Sequence, residues 1–266
     1  MPGRRLAYLE AGEGAALLFV HAFPLTAEMW RPQLETLAPG WRGLAPDLRG
    51  LGRSALAAGD RQGRAASSME DHADDLDALL GALRIDSAVV VGLSMGGYVA
   101  FALCRRAPQR VRALVLADTR AEPDTDEGRA KRDSLKQMAR EHGAAAIADA
   151  MVPQIVGSST QKDRPELLDD VGAMARQNSP DGLIDALECL KSRQDSRPLL
   201  PALTCPTLII VGAEDQVTTP AMSEAMACAI PGAAVHVIAG AGHLCNLEQP
   251  EAFGRSLHQF LDRLDA

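Results

Sequence analysis

Short, nearly continuous apolar runs alternate along the chain with stretches whose apolar positions recur every three or four residues. The runs are AALLFV (15–20), WRGLAPD (41–47), AVVVG (88–92), ALVLAD (113–118), PTLIIVG (206–212) and AVHVIAG (234–240). Apolar side chains on successive positions, facing both ways, predict strands covered on both faces, as in a parallel sheet. Between them SMEDHADDLDALLGALRI (68–85) sets Leu76, Leu79, Leu80 and Leu83 on one helical face with acids opposite. MGGYVAFALCRRA (95–107) reads as a helix stopped by Pro108. PAMSEAMACAI (220–230) starts with a proline in its first turn and ends before Pro231-Gly232, and PEAFGRSLHQFLDRL (250–264) is amphipathic. Strand and helix in alternation predict an α/β fold with a mostly parallel sheet.

One block interrupts the alternation. From 119 to 200 no strand run occurs, and helical patterns cover 126–143, 144–152, 164–177 and 180–194. The expected organisation is a core of residues 1–118 and 201–266, with 119–200 inserted as a helical cap.

Composition narrows the partners. The 266 residues are 47% hydrophobic and 23% charged, an ordinary globular balance with enough chain to bury a core. A net charge of −8 without a basic run argues against nucleic acid and anionic membranes. Five scattered cysteines with no CxxC pair read as reduced thiols, and MPGRRLAYLEAGEG at the start lacks the apolar stretch of a secretory signal. The longest apolar runs are strand-sized. A cytoplasmic protein is expected, with no metal-spaced His/Cys cluster and so no metal or cofactor. Its partner is a small molecule, and its oligomeric state is left open.

The chemistry centres on Gly92-Leu93-Ser94-Met95-Gly96, between a strand run and a helix. A serine there, flanked by glycines, matches a nucleophile elbow, in which a tight turn lifts the hydroxyl clear of the sheet. A serine hydroxyl needs a base. Of six histidines, His243 follows the last strand run in a glycine-rich loop. His21 reads as a loop-structuring residue, and His72, His142, His236 and His258 read as packing or surface residues. An imidazole base needs an acceptor on its second nitrogen. Asp215, after 206–212, is the first choice over neighbouring Glu214, with Asp118 in reserve. The N–H groups of Met95 and of Phe23, after the 15–20 strand, are the expected oxyanion donors. All of these positions follow strands, so a parallel sheet brings them to one carboxyl edge. Leu25, Trp30, Val217 and Leu244 flank the catalytic loops, and Met138, Met151 and Val152 lie in the insertion. These are the expected substrate-pocket residues. Only Arg120 and Arg129 stand out as candidates for meeting an acidic substrate, and no basic cluster is evident.

HAFP (21–24), DLRGLGRS (47–54), GLSMGG (92–97), GAED (212–215) and GAGHLCNLEQPEAF (240–253) together resemble the α/β-hydrolase fold superfamily over nearly the whole chain. HAFPLTAEMW and GLSMGG are similar to small carboxylesterases and β-ketoadipate enol-lactone hydrolases. The resemblance implies an eight-stranded, mostly parallel sheet flanked by helices, with a helical cap after the sixth strand. It implies a Ser94–Asp215–His243 triad that hydrolyses esters of small to medium uncharged acyl groups through an acyl-serine. Alternatives are lactone or enol-lactone hydrolysis, perhydrolysis, and, in another class, a small-molecule receptor that retains the triad. Many relatives have glycine where Ala22 stands, which bears on the oxyanion loop. Asp47 and Arg49 are read as holding their own loop. A serine at the elbow departs from the aspartate of haloalkane dehalogenases and epoxide hydrolases. The lysine that hydroxynitrile lyases keep near the triad is missing as well.

Overall fold

The strands are β1 Tyr8–Gly12, β2 Ala15–Val20, β3 Trp41–Pro46, β4 Ala88–Leu93, β5 Val111–Ala117, β6 Thr207–Gly212 and β7 Ala234–Ile238 in the computed structural model, which describes residues 6–56, 65–66 and 68–264. The first five residues, part of the stretch read for a leader, lie outside the described residues. The order across the sheet is β1-β3-β2-β4-β5-β6-β7. All neighbours run parallel except β1, which pairs antiparallel with β3 from Tyr8↔Pro46 to Gly12↔Arg42.

Along the central strands successive side chains enter opposite apolar layers. Leu18, Val20, Val90, Leu114 and Ile209 join one layer, and Leu17, Phe19, Val89, Val91, Val115 and Ile210 join the other. This double burial is why the runs lack polar alternation. β1 differs. It is an edge strand, YLEAG, half exposed and mixed in polarity, so it carries no continuous apolar run. Seven strands stand among the described residues, one fewer than expected, and the helical insertion follows the fifth of them in chain order.

The helices obey local rules. α1 is the short Arg31–Glu35. α2, Met69–Ala82, opens with a reciprocal capping box in which Ser68 and Asp71 satisfy each other's backbone N–H. α3, Met95–Arg106, packs against α2 and is buried through most of its length. The insertion holds α4 Asp126–Ile155, α5 Ser158–Asp163, α6 Glu166–Arg176 and α7 Pro180–Ser192. α4 is two helices in one span. Gly143 breaks it at φ 76°, ψ −169°, a conformation open to glycine, and α6 and α7 pack on the broken pair. α8 Pro220–Ala229, α9 Cys245–Glu248 and α10 Pro250–Asp262 complete the chain.

The strand order reverses around β2: β3 lies on one side of it and β4 on the other. Register pairs Val20 with Gly92, so the loops leaving β2 and β4 emerge side by side. Such a reversal leaves a crevice at the carboxyl ends of the strands, where open α/β sheets bind ligands.

Candidate active site

Ser94 sits between β4 and α3 at φ 54°, ψ −113°, a conformation that a serine adopts only under constraint. Its N–H donates to Ala117 O (2.9 Å), and Thr119 Oγ1 donates to Ser94 O (2.8 Å), fixing the turn against the end of β5. The flanking glycines are required by close approach: a Cβ on Gly96 would lie 2.0 Å from Val20 O, and one on Gly92 2.4 Å from Gly96 O.

His243 Nε2 lies 2.8 Å from Ser94 Oγ, and His243 Nδ1 lies 2.8 Å from Asp215 Oδ2. The acceptors assign the proton to Nδ1, leaving Nε2 to accept from the serine hydroxyl. Asp215 is fully engaged. Its Oδ1 accepts from the N–H groups of Val217 (2.7 Å) and Thr218 (2.9 Å), and its Oδ2 accepts from Thr218 Oγ1 at 2.6 Å. Thr218 was not foreseen. The signal for it was present, since a threonine three residues after the acid can fold back on that carboxylate. Burial acts to raise the Asp215 pKa, but the His243 charge and these hydrogen bonds outweigh it and hold the carboxyl below its ordinary value. Burial acts to lower the His243 pKa, and the Asp215 charge and hydrogen bond overcome it, so the imidazole stands above its ordinary value.

The other candidates for the acid are placed elsewhere. Glu214 turns to the insertion, accepting from Ser158 Oγ (3.0 Å), Ser159 N (2.9 Å) and Ser159 Oγ. Asp118 is buried behind the pair, accepting from the N–H groups of Gly212 (2.8 Å) and Cys245 (3.1 Å). Burial and the Asp215 charge raise its pKa to about 7. Among the remaining histidines, His21 Nε2 accepts from Leu48 N (3.0 Å) and ties together the loops after β2 and β3. Asp47 accepts from Ala27 N and Arg53 N, and Arg49 makes a buried two-point ion pair with Asp75 at 2.6 Å, so both hold the β3 loop.

Met95 and Phe23 are buried, and among the described residues neither main-chain N–H has an acceptor. Buried N–H groups are rarely left so, because the lost solvation costs about 1–3 kcal/mol each.

Ser94 and His243 open into a cavity of about 880 Å³. Of the seven side chains expected on its wall, Met151 and Val217 line it. The other five are corrections. Leu25, Trp30 and Leu244 are fully buried in the apolar layer on one face of the sheet, where Trp30 packs on Phe19 (5.1 Å) and Phe253 (5.9 Å). Val152 joins that layer, and Met138 packs against the other layer. Proximity in sequence to a catalytic loop does not decide which way a side chain points. The wall also differs in charge from the expectation: Arg120, Lys131, Arg132 and Asp124 lie on it beside Tyr98. Arg129 does not, and bonds exposed Asp126 instead. Among the described residues no group of three or more His, Cys, Asp or Glu side chains is arranged to hold a metal ion, and no helix is long and apolar enough to cross a membrane.

A family model for the alpha/beta hydrolase fold matches residues 15–250. The chain is 28% identical over 253 residues to 3-oxoadipate enol-lactonase 2 of Acinetobacter baylyi, covering 94% of this chain and 90% of that one. The structure superimposes on a thermophilic esterase from Thermogutta terrifontis, in its malate-bound form, with a TM-score of 0.92 at 39% identity, covering 98% and 94% of the two chains. It also superimposes on the enol-lactonase of Burkholderia xenovorans with a TM-score of 0.86 at 28% identity, covering 97% and 96%.

Proposed function

The chain belongs to the α/β-hydrolase fold family, and we propose that within it the protein is a serine hydrolase of small to medium carboxylic esters. The observation that carries the reading is the continuous hydrogen-bonded series from Ser94 Oγ through His243 to Asp215, opening on a cavity.

In this reading His243 Nε2 takes the Ser94 proton as Oγ attacks the ester carbonyl. The developing oxyanion accepts from the free N–H groups of Met95 and Phe23. His243 returns the proton to the departing alcohol, leaving an acyl-serine. Water then loses a proton to His243 and attacks the acyl carbon, releasing the acid and restoring the serine. Asp215, pinned by Thr218 and two backbone N–H groups, holds the imidazole in one tautomer and balances its charge as it protonates. Residues 119–200 form the cap over this site, and 1–118 with 201–266 form the core. The five cysteines, all free, support a reducing, cytoplasmic setting.

The same steps open a cyclic ester, so lactone hydrolysis is the second reading, favoured by the enol-lactonases among the relatives. The test is steady-state turnover of p-nitrophenyl esters of increasing acyl length beside Ser94→Ala. Many turnovers per molecule by the wild type, abolished in the variant, are expected. A wild type no faster than Ser94→Ala, on these esters and on lactones, would end the serine-hydrolase reading.

A further inference from the structure

The geometry points to a substrate that carries a carboxylate, held by Arg120, Lys131 and Arg132 while its ester or lactone carbonyl lies at Ser94. This rests on the serine-hydrolase reading above and names its substrate class.

The argument begins with a local imbalance of charge. Asp124, almost fully buried, accepts from three guanidinium groups: Arg193 Nη1 at 2.7 Å, Arg132 Nε at 3.0 Å and Arg120 Nη2 at 3.1 Å. One carboxylate cannot neutralise three arginines. Arg193 is satisfied otherwise, since it lies 4.4 Å over the Tyr98 ring and donates to the carbonyls of Glu122 and Leu190. Arg120 and Arg132 are not. The Nε of Arg120 is buried and has no partner among the described residues. Lys131 adds a further cation, whose Nζ donates to the neutral Gln154 Oε1 at 3.2 Å. Three guanidinium groups therefore meet one carboxylate, with Lys131 on the same cavity wall, in a protein whose net charge is −8. The second carboxylate on the cavity wall, Glu214, is bonded to Ser158 and Ser159.

The placement gives this charge a purpose. Arg120, Lys131 and Arg132 line the same cavity as Ser94 and His243. Arg120 directly follows Thr119, whose hydroxyl is bonded to the Ser94 carbonyl, so nucleophile and cationic wall are built on touching loops. Arg120 and Arg132 are half-buried while Lys131 is exposed, and partial removal from water strengthens the charge-assisted hydrogen bonds of the two guanidinium groups. Guanidinium forks match a planar carboxylate, and Asp124 already occupies one such position in the cluster. The rest of the wall supplies apolar contact through Phe23, Leu135, Met151 and Ile155. A short aliphatic spacer between ester and carboxylate fits that division.

The test compares two esters of equal length, monomethyl glutarate and its uncharged amide analogue methyl 4-carbamoylbutanoate, by kcat/KM from methanol release. The wild type is expected to prefer the carboxylate at least tenfold, about what a charge-assisted hydrogen bond supplies. Lys131→Gln combined with Arg132→Gln is expected to bring the ratio close to one, and Arg129→Gln, outside the cavity, to leave the ratio unchanged. Turnover of both esters by the wild type at equal kcat/KM would overturn the carboxylate subsite and leave the esterase standing. Turnover of neither, with p-nitrophenyl esters and lactones hydrolysed no faster than by Ser94→Ala, would overturn the hydrolase reading. Calorimetric titration of glutarate into Ser94→Ala then judges the subsite by itself: binding that disappears with Lys131→Gln and Arg132→Gln supports it, and no binding overturns it.

Discussion

The main-chain N–H of His243 donates to the carbonyl of Ile155 at 3.0 Å, so the loop that carries the base is bonded directly to the last turn of α4. Glu248 reinforces the joint: its Oε1 accepts from Leu244 N at 3.1 Å and its Oε2 from Gly157 N at 2.8 Å. The insertion is thus structurally continuous with the loop that carries His243. Glu248→Ala would strand two buried N–H groups and is expected to cost about 2–4 kcal/mol. Urea denaturation measures that loss, and kcat should fall with it because the imidazole loses its fixed position. A variant as stable and as active as the wild type would show that the joint carries no weight.

The acid limb of the pH–rate profile follows from the His243 shift. The imidazole acts as a base only when neutral, so kcat/KM falls as pH drops through its pKa. Since that pKa is raised, the limb has its midpoint above the ordinary histidine value of 6.5. The charge of Asp118 contributes to the rise. Asp118→Asn should therefore move the limb to lower pH, and Asp215→Asn should cut kcat by about 1,000–10,000-fold through loss of the tautomer. Ester hydrolysis followed from pH 5 to 9 in the three proteins checks both statements.

Much of this was legible in the chain. The strands β2 to β6 announced themselves because both of their faces are buried, and β7 by its apolar run although it is partly exposed; the serine, histidine and aspartate announced themselves because each lies in the turn or loop after a strand. What escaped notice depends on direction in space. β1 is half exposed, so its pattern is mixed. Leu25, Trp30 and Leu244 neighbour catalytic loops in sequence but turn into the apolar layer of the sheet. Arg120 and Arg132 are near neighbours of Asp124 in sequence, but Arg193 joins them from the far end of the insertion, and no spacing rule marks that meeting.

The contrast between Trp30 and Met151 makes that lesson measurable. Trp30→Ala empties a packed core position and is expected to cost about 3–5 kcal/mol of stability while leaving the preferred acyl length unchanged. Met151→Ala enlarges the cavity and should move the preferred acyl chain to longer esters with a smaller effect on stability. Denaturation curves and a chain-length series on each variant separate the two roles. A changed chain-length optimum in Trp30→Ala would return Trp30 to the pocket.

His72 predicts an acid dependence of stability that is independent of catalysis. Its ring is fully buried, both nitrogens lack partners among the described residues, and burial lowers its pKa to about 3, with the Arg49 charge contributing. Between about 3 and 6.5 the unfolded chain binds a proton there that the folded chain does not. Stability therefore falls as pH drops through this window, by at most about 1.4 kcal/mol per pH unit from this group. His72→Leu should flatten the profile across the same window, as read by denaturation midpoints at a series of pH values. An unchanged slope would exclude His72 as the cause.

The break at Gly143 has an evolutionary consequence. The half of α4 before it carries Lys131 and Arg132, and the half after it carries Met151 and ends at the carbonyl that anchors His243. Lys131 reaches across the break to Gln154, so beyond the chain itself that side-chain bond also joins the two halves. A lineage that replaces Lys131 and Arg132 alters one wall of the cavity while keeping the bond between Ile155 and His243.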